Sequence, residues 1–185
     1  MTVREFVTIV RQHKKLSFAI LVLVLVLGKI VSVSFGMCGI GTFGGERNDI
    51  LRRRNYLIGK LVTTPQKVME EMPGGMDEQF QGEWAMYSCS MFAVALTNIA
   101  RIYPEQKEVS LGYVDKLIEI VMSSEIREYD RKRWWGEDAL ASLEGDHSHV
   151  SYLSILAWMM GEYKELGGGN KYDELYGRIC YTLNR

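Results

Sequence analysis

Two of the chain's three histidines stand two residues apart in the run Glu144-Gly145-Asp146-His147-Ser148-His149, with Tyr152 close behind. Just upstream lies Trp134-Trp135-Gly136-Glu137-Asp138. Imidazole titrates near neutrality, and a neighbouring carboxylate fixes its tautomer and steadies its charged form. A His beside an Asp is therefore equipped to take and return protons. On that reasoning His147 or His149 is the candidate acid/base, Asp146 its orienting partner, and Trp135 and Tyr152 candidate cleft lining. A structural reading stands beside this one. Asp146 or Ser148 caps the helix that follows, the histidines lie at a surface or contact, and the tryptophans pack neighbouring hairpins. A metal site is not expected. Side chains at i and i+2 point apart on a helix, and neither HExxH nor a cysteine ligand set is present.

A second patch, Gln79, Gln81, Glu83, Trp84 and Tyr87, opens an apolar helix. Glu83 there could project from a cleft floor with a raised pKa, or simply complement the positive end of the helix dipole. Trp84 and Tyr87 are candidate substrate contacts. If the two helices run parallel, Glu83, Tyr87, His147, His149 and Tyr152 converge on one face. No phosphate-binding loop or GxSxG elbow is present, and no cofactor is expected. Cys38, Cys89 and Cys180 are odd in number and lack CxxC spacing, which argues against disulfides and structural zinc.

The elements that must position these groups are helical. Gly82–Tyr103 and Val150–Met160 are apolar in every helical direction, which predicts burial on all sides. Leu111–Val121 and the stretch from Tyr172 to Leu183 are apolar on one face only, which predicts contact with water. Inner and outer helices alternating in this way imply stacked hairpins of an (α/α) toroid. Two hairpins leave the inner helices' flanks uncovered, so further hairpins or a homo-oligomer are expected to complete the barrel. The first hairpin is predicted at Gln81–Tyr103 and Val109–Glu125, turning at Pro104-Glu105-Gln106. The second begins near Ser148 and turns at Gly167-Gly168-Gly169-Asn170. Between them, Arg127–His147 is expected to be irregular, with a short helix around Asp138–Leu143. Thr64-Pro65 predicts an N-cap and a first helical position.

The N-terminus reads differently. Residues 1–15 form a basic tail. Residues 16–37 are predicted to be a transmembrane anchor, with Lys29 snorkelling. A cleaved signal peptide is the competing reading, disfavoured because apolar character continues past the candidate cleavage site. Residues 38–63 read as a linker and an interfacial helix, and 64–185 as a partial α/α-barrel domain. A single span with the globular part extracytoplasmic is expected. The first 36 residues hold five basic residues and one acidic, out of 22 and 23 in the chain. That leaves 17 basic against 22 acidic in the remainder, an acidic balance that argues against nucleic acid as a partner.

The stretch Gln79–Ser88, the later Ile102-Tyr103-Pro104-Glu105, and His149–Leu156 with Lys171-Tyr172 resemble the α/α-barrel domain of linalool dehydratase/isomerase-like proteins. The resemblance covers about residues 64–185 and only the N-terminal part of that domain. It implies an all-α barrel that binds a small, largely apolar alcohol and moves protons without an organic cofactor, as a lyase or isomerase. The family's acid/base cysteines find no matching motif around Cys89 or Cys180. Two other functions fit the residues. One is envelope carbohydrate processing, with Glu83 and Asp138 or Asp146 as paired acids. The other is a non-catalytic helical scaffold, whose mark would be an open apolar surface without an enclosed polar pocket.

Overall fold

The computed structural model describes residues 14–37, 46–73, 78–145 and 149–185. Among them are eight α-helices and one 3₁₀ turn, with no strand. The chain divides into two compact units, Met1–Leu51 and Arg52–Arg185.

In the first unit, α1 spans Lys14–Met37. At 1.5 Å per residue its 24 residues extend about 36 Å, enough to cross a hydrocarbon core of about 30 Å. Phe18, every residue from Ile20 to Leu27, and Ile30 are exposed. Consecutive exposed positions cover the helix all the way round. Helix α2, Glu46–Leu61, begins in the first unit and ends in the second, where Leu61 enters the core.

In the second unit, α3 (Pro65–Glu70) starts as the sequence predicts, with Thr64 Oγ1 accepting from Lys67 N and Pro65 at the first helical position. Helix α4 (Glu78–Ile102), the 3₁₀ turn Pro104–Gln106 and α5 (Lys107–Val121) make the first hairpin. Helices α7 (Val150–Glu165) and α8 (Asp173–Leu183) make the second. The central helix α4 touches α5, α6 and α7, and α8 packs on α7. The core they enclose includes Met86, Phe92 and Leu96 of α4, Leu117 and Ile118 of α5, and Leu153, Leu156 and Met159 of α7. By length and composition Phe80–Ile102 is apolar enough to cross a membrane, but more than half of it is buried inside the protein, as befits a core helix.

Phe80, Trp84, Tyr87 and Met91 form an exposed stripe along α4, and Val150, Ser154 and Trp158 one along α7, as expected of inner helices whose flanks two hairpins leave uncovered. Two expectations need correction. The stretch from Arg127 does not start irregularly. Helix α6, Ser124–Arg133, occupies it, N-capped by Ser123 Oγ accepting from Ile126 N. Its buried stripe is Ile126, Tyr129 and Asp130. A charged residue holds a core position there, so the apolar periodicity is invisible in the sequence. Nor is Asp138–Leu143 a helix. Asp138 Oδ1 accepts from the N–H groups of Leu140 and Ala141, and Ser142 Oγ donates to the Asp138 carbonyl, which ties the segment into turns.

Gly82 sets the distance between α4 and α6. A Cβ there would lie 2.9 Å from Tyr129 Cβ and 3.2 Å from the Ile126 carbonyl oxygen. The absence of a side chain at Gly82 is what lets α6 press its Tyr129–Asp130 face into the core.

Candidate functional site

The end of α6 aims the site. Trp134 closes on the Asp130 carbonyl, and the chain then turns through two left-handed residues, Trp135 (φ 53°) and Gly136 (φ 95°). This reversal sends Glu137 back towards the start of α7. There His149 is itself left-handed (φ 42°), a conformation that costs a non-glycine residue about 1–3 kcal/mol and persists only where the surroundings enforce it. Its carbonyl accepts the first N–H groups of α7, from Tyr152 and Leu153.

The surroundings that hold His149 are acidic on both sides. Nδ1 lies 2.6 Å from Asp130 Oδ2, with both side chains 1% exposed. Nε2 lies 3.3 Å from Glu137 Oε1 and 3.4 Å from Ser142 Oγ. The Trp134 ring sits against the imidazole at a centroid distance of 5.2 Å. A carboxylate can only accept a hydrogen bond. The Nδ1–H of the ring donates to Asp130, and Nε2 faces both Glu137 and Ser142 Oγ. Burial pushes the Asp130 carboxyl above its ordinary range, against the opposing pull of the His149 hydrogen bond and charge. Glu137 is the solvent-facing end, with 29% of its side chain exposed.

The loop that carries Glu137 is pinned from several directions. Arg127 is ion-paired to Asp138. Thr182 Oγ1 donates to the Leu143 carbonyl at 2.6 Å, and Arg185 donates to the Gly145 carbonyl at 2.5 Å. Gly145 lets the loop close, since a Cβ there would stand 3.2 Å from Glu137 Oε1.

Of the residues chosen from sequence, His149 takes this central place. Its orienting carboxylate is Asp130, which sequence reasoning missed, as it missed Glu137's contact. Asp146 and His147 lie outside the described residues. Tyr152 is wholly buried, and its hydroxyl donates to the Val121 carbonyl at 3.1 Å, so it anchors α7 to the end of α5. Glu83 pairs with Arg133 at 3.5 Å. Trp84 and Tyr87 are 52% and 39% exposed, and Trp135 is 85% exposed. No hydrogen bond or ion pair joins Glu83 to His149 among the described residues. Both acids of the carbohydrate reading that are described, Glu83 and Asp138, have an arginine partner. Among the described residues no group of three or more His, Cys, Asp or Glu is arranged to hold a metal ion.

Comparison with known protein families, with curated proteins and with solved structures finds no match for this chain.

Proposed function

We propose that this chain is a membrane-anchored α/α-toroid protein of the linalool dehydratase/isomerase type, moving protons on a small, largely apolar alcohol without an organic cofactor. The observation that carries the reading is the imidazole of His149 with a carboxylate on each ring nitrogen. Dehydration and double-bond isomerisation each need one proton delivered and one removed. An imidazole in line between two carboxylates is a chain of acid/base groups along which both transfers can run. In this reading Glu137, the solvent-facing end, meets the reacting group, His149 passes the proton behind it, and Asp130 is the positioning residue bonded to Nδ1. The exposed stripes on α4 and α7 support the toroid, since inner helices present such faces to a central lumen. The exposed apolar surface of α1 supports the anchor, because in water it would remain unburied.

The test uses the full chain in lipid nanodiscs without added cofactor. It is incubated with a panel of small unsaturated alcohols, linalool among them, and products are followed by gas chromatography. Turnover by the wild type and its loss in a cooperatively melting His149→Gln variant are expected. A wild type that leaves every alcohol unchanged, or a His149→Gln variant with undiminished turnover, contradicts the reading.

One observation favours a second reading, a helical scaffold. Trp84 and Tyr87 stand on the open α4 stripe without any joint contact to His149. Under that reading Met91→Glu leaves the fold intact and abolishes assembly, seen as a shift to the monomer in sedimentation. An unchanged sedimentation profile removes it.

A further inference from the structure

At the far end of α7 from His149 lies a cavity of about 540 Å³, within the size range of small-molecule sites. Three tyrosines form its walls: Tyr163 of α7, Tyr172 at the start of α8, and Tyr176 one turn further on. Two of these rings are held in place before any ligand arrives. Tyr163 lies directly on the backbone of Gly168, where a Cβ would stand 2.2 Å from the ring, so only glycine permits this position. Tyr172 donates its hydroxyl to Asp115 Oδ1 at 2.7 Å and meets Tyr163 edge-on, with centroids 5.1 Å apart. Tyr176 is 42% exposed and leaves one side open.

Gly161 also lines the cavity. A glycine inside a helix is unfavourable relative to alanine. The usual compensation is close packing, yet a Cβ at Gly161 would meet nothing within 4 Å. What the glycine leaves there is empty space beside the tyrosines.

The charges at the rim are already balanced. Lys164 Nζ lies 2.7 Å from Asp173 Oδ2, and Arg101 holds Glu165, with Nε 2.7 Å from Oε1. An ionic ligand would meet rim charges that are already neutralised by a neighbour. A neutral ligand with hydroxyl groups can instead accept from Lys164 and donate to the spare lone pairs of Asp173 and Glu165. Aromatic walls with polar groups at the edge suit a ring that has apolar C–H faces and a hydroxylated perimeter.

We propose that this cavity binds a neutral pyranose, its C–H face against the exposed Tyr176 ring, its edge against Tyr163 and Tyr172, and its hydroxyls on Lys164, Asp173 and Glu165. The site is separate from His149 and does not depend on the reaction assigned there.

The experiment is saturation-transfer difference NMR on the full chain in lauryldimethylamine oxide micelles, a detergent without sugar. The probes are cellobiose, maltose, lactose and N,N′-diacetylchitobiose. At least one is expected to receive saturation, most strongly on the C–H protons of one ring face. Gly161→Leu, which fills the space, and Tyr176→Ala, which removes an exposed wall, should each weaken that binding about tenfold or more. Circular dichroism melting checks that both variants fold. Should Gly161→Leu fail to fold, Tyr176→Ala decides alone. Absence of transfer to all four sugars, or undiminished binding by the folded variants, overturns the proposal.

Discussion

The starts of α4 and α7 carry similar residue types and have opposite fates. Each carries an ionisable group with an aromatic residue about a turn later, Glu83 with Tyr87 in the second turn of α4 and His149 with Tyr152 at the cap of α7. At α4 the acid meets Arg133 at the rim, and Tyr87 faces outward. At α7 the imidazole is sealed between carboxylates, and Tyr152 is buried to its hydroxyl. The difference comes from α6. Its C-terminal turn folds over the start of α7 and contributes Asp130, Trp134 and, through the left-handed reversal, Glu137. At α4 the group it sets against the acid is Arg133, longer and more exposed to solvent. The chemistry of a helix start is thus set by what closes over it, more than by the residues at the start itself.

The largest effect should separate the two starts directly. Asp130→Ala strands a buried imidazole without its partner, and breaking such a pair costs about 3–5 kcal/mol. Glu83→Ala breaks a partly exposed pair worth about 0–1 kcal/mol. Urea unfolding of the full chain should show that gap, and equal losses would mean that the two starts are energetically alike.

Two glycines sharpen the contrast at the next level. Gly82→Ala forces a Cβ against Tyr129 and the α6 backbone and should destabilise by about 1–3 kcal/mol, despite alanine's better helix propensity. Gly161→Ala meets open space and should stabilise by up to about 1 kcal/mol. The same denaturation series checks both, and a stabilising Gly82→Ala would refute the close approach of α6.

A pH series tests the burial of Asp130. Its carboxyl is raised above the ordinary value by desolvation, so the folded state holds this proton more tightly than the unfolded chain. That contribution is full below the ordinary carboxylate pKa of about 3.9 and is lost as pH rises through the folded value. The stability of the wild type relative to Asp130→Asn should therefore fall as pH climbs from about 4. A difference that grows instead would mean that the pair is held mainly by the ionised carboxylate.

The smallest effect belongs to Trp135. At 85% exposure, its replacement by Ser should change stability by less than about 0.5 kcal/mol. A larger loss in thermal melting would place it in a contact on the His149 side of the loop.

How much of this could be read from sequence follows the same division. Both hairpins, their turns and the Thr64–Pro65 helix start were legible, because apolar period and capping residues are local signals. That two hairpins leave flanks of α4 and α7 open was legible too, but which residues form the open stripes was not, because both helices are apolar in every direction. His149 was legible as a candidate, but its partners were not. Asp130 sits in the strongly charged stretch Glu125–Arg133, where nothing local distinguishes the one carboxylate that turns inward. Glu137 reaches the imidazole only through the positive-φ turn at Trp135 and Gly136. The tyrosine cavity was equally hidden, since Tyr163, Tyr172 and Tyr176 meet only after the Gly167–Gly169 turn folds α8 onto α7.

The central claim is that one buried imidazole is held between two carboxylates, with Nδ1 bonded to Asp130. The most direct test is ¹⁵N-detected NMR of the histidine rings in the full chain, selectively labelled and compared with Asp130→Asn. His149 should show a protonated Nδ1 with a strongly downfield proton resonance that Asp130→Asn abolishes. A His149 ring with the rapid exchange and mixed tautomers of a solvent-exposed histidine, unchanged by Asp130→Asn, would contradict it.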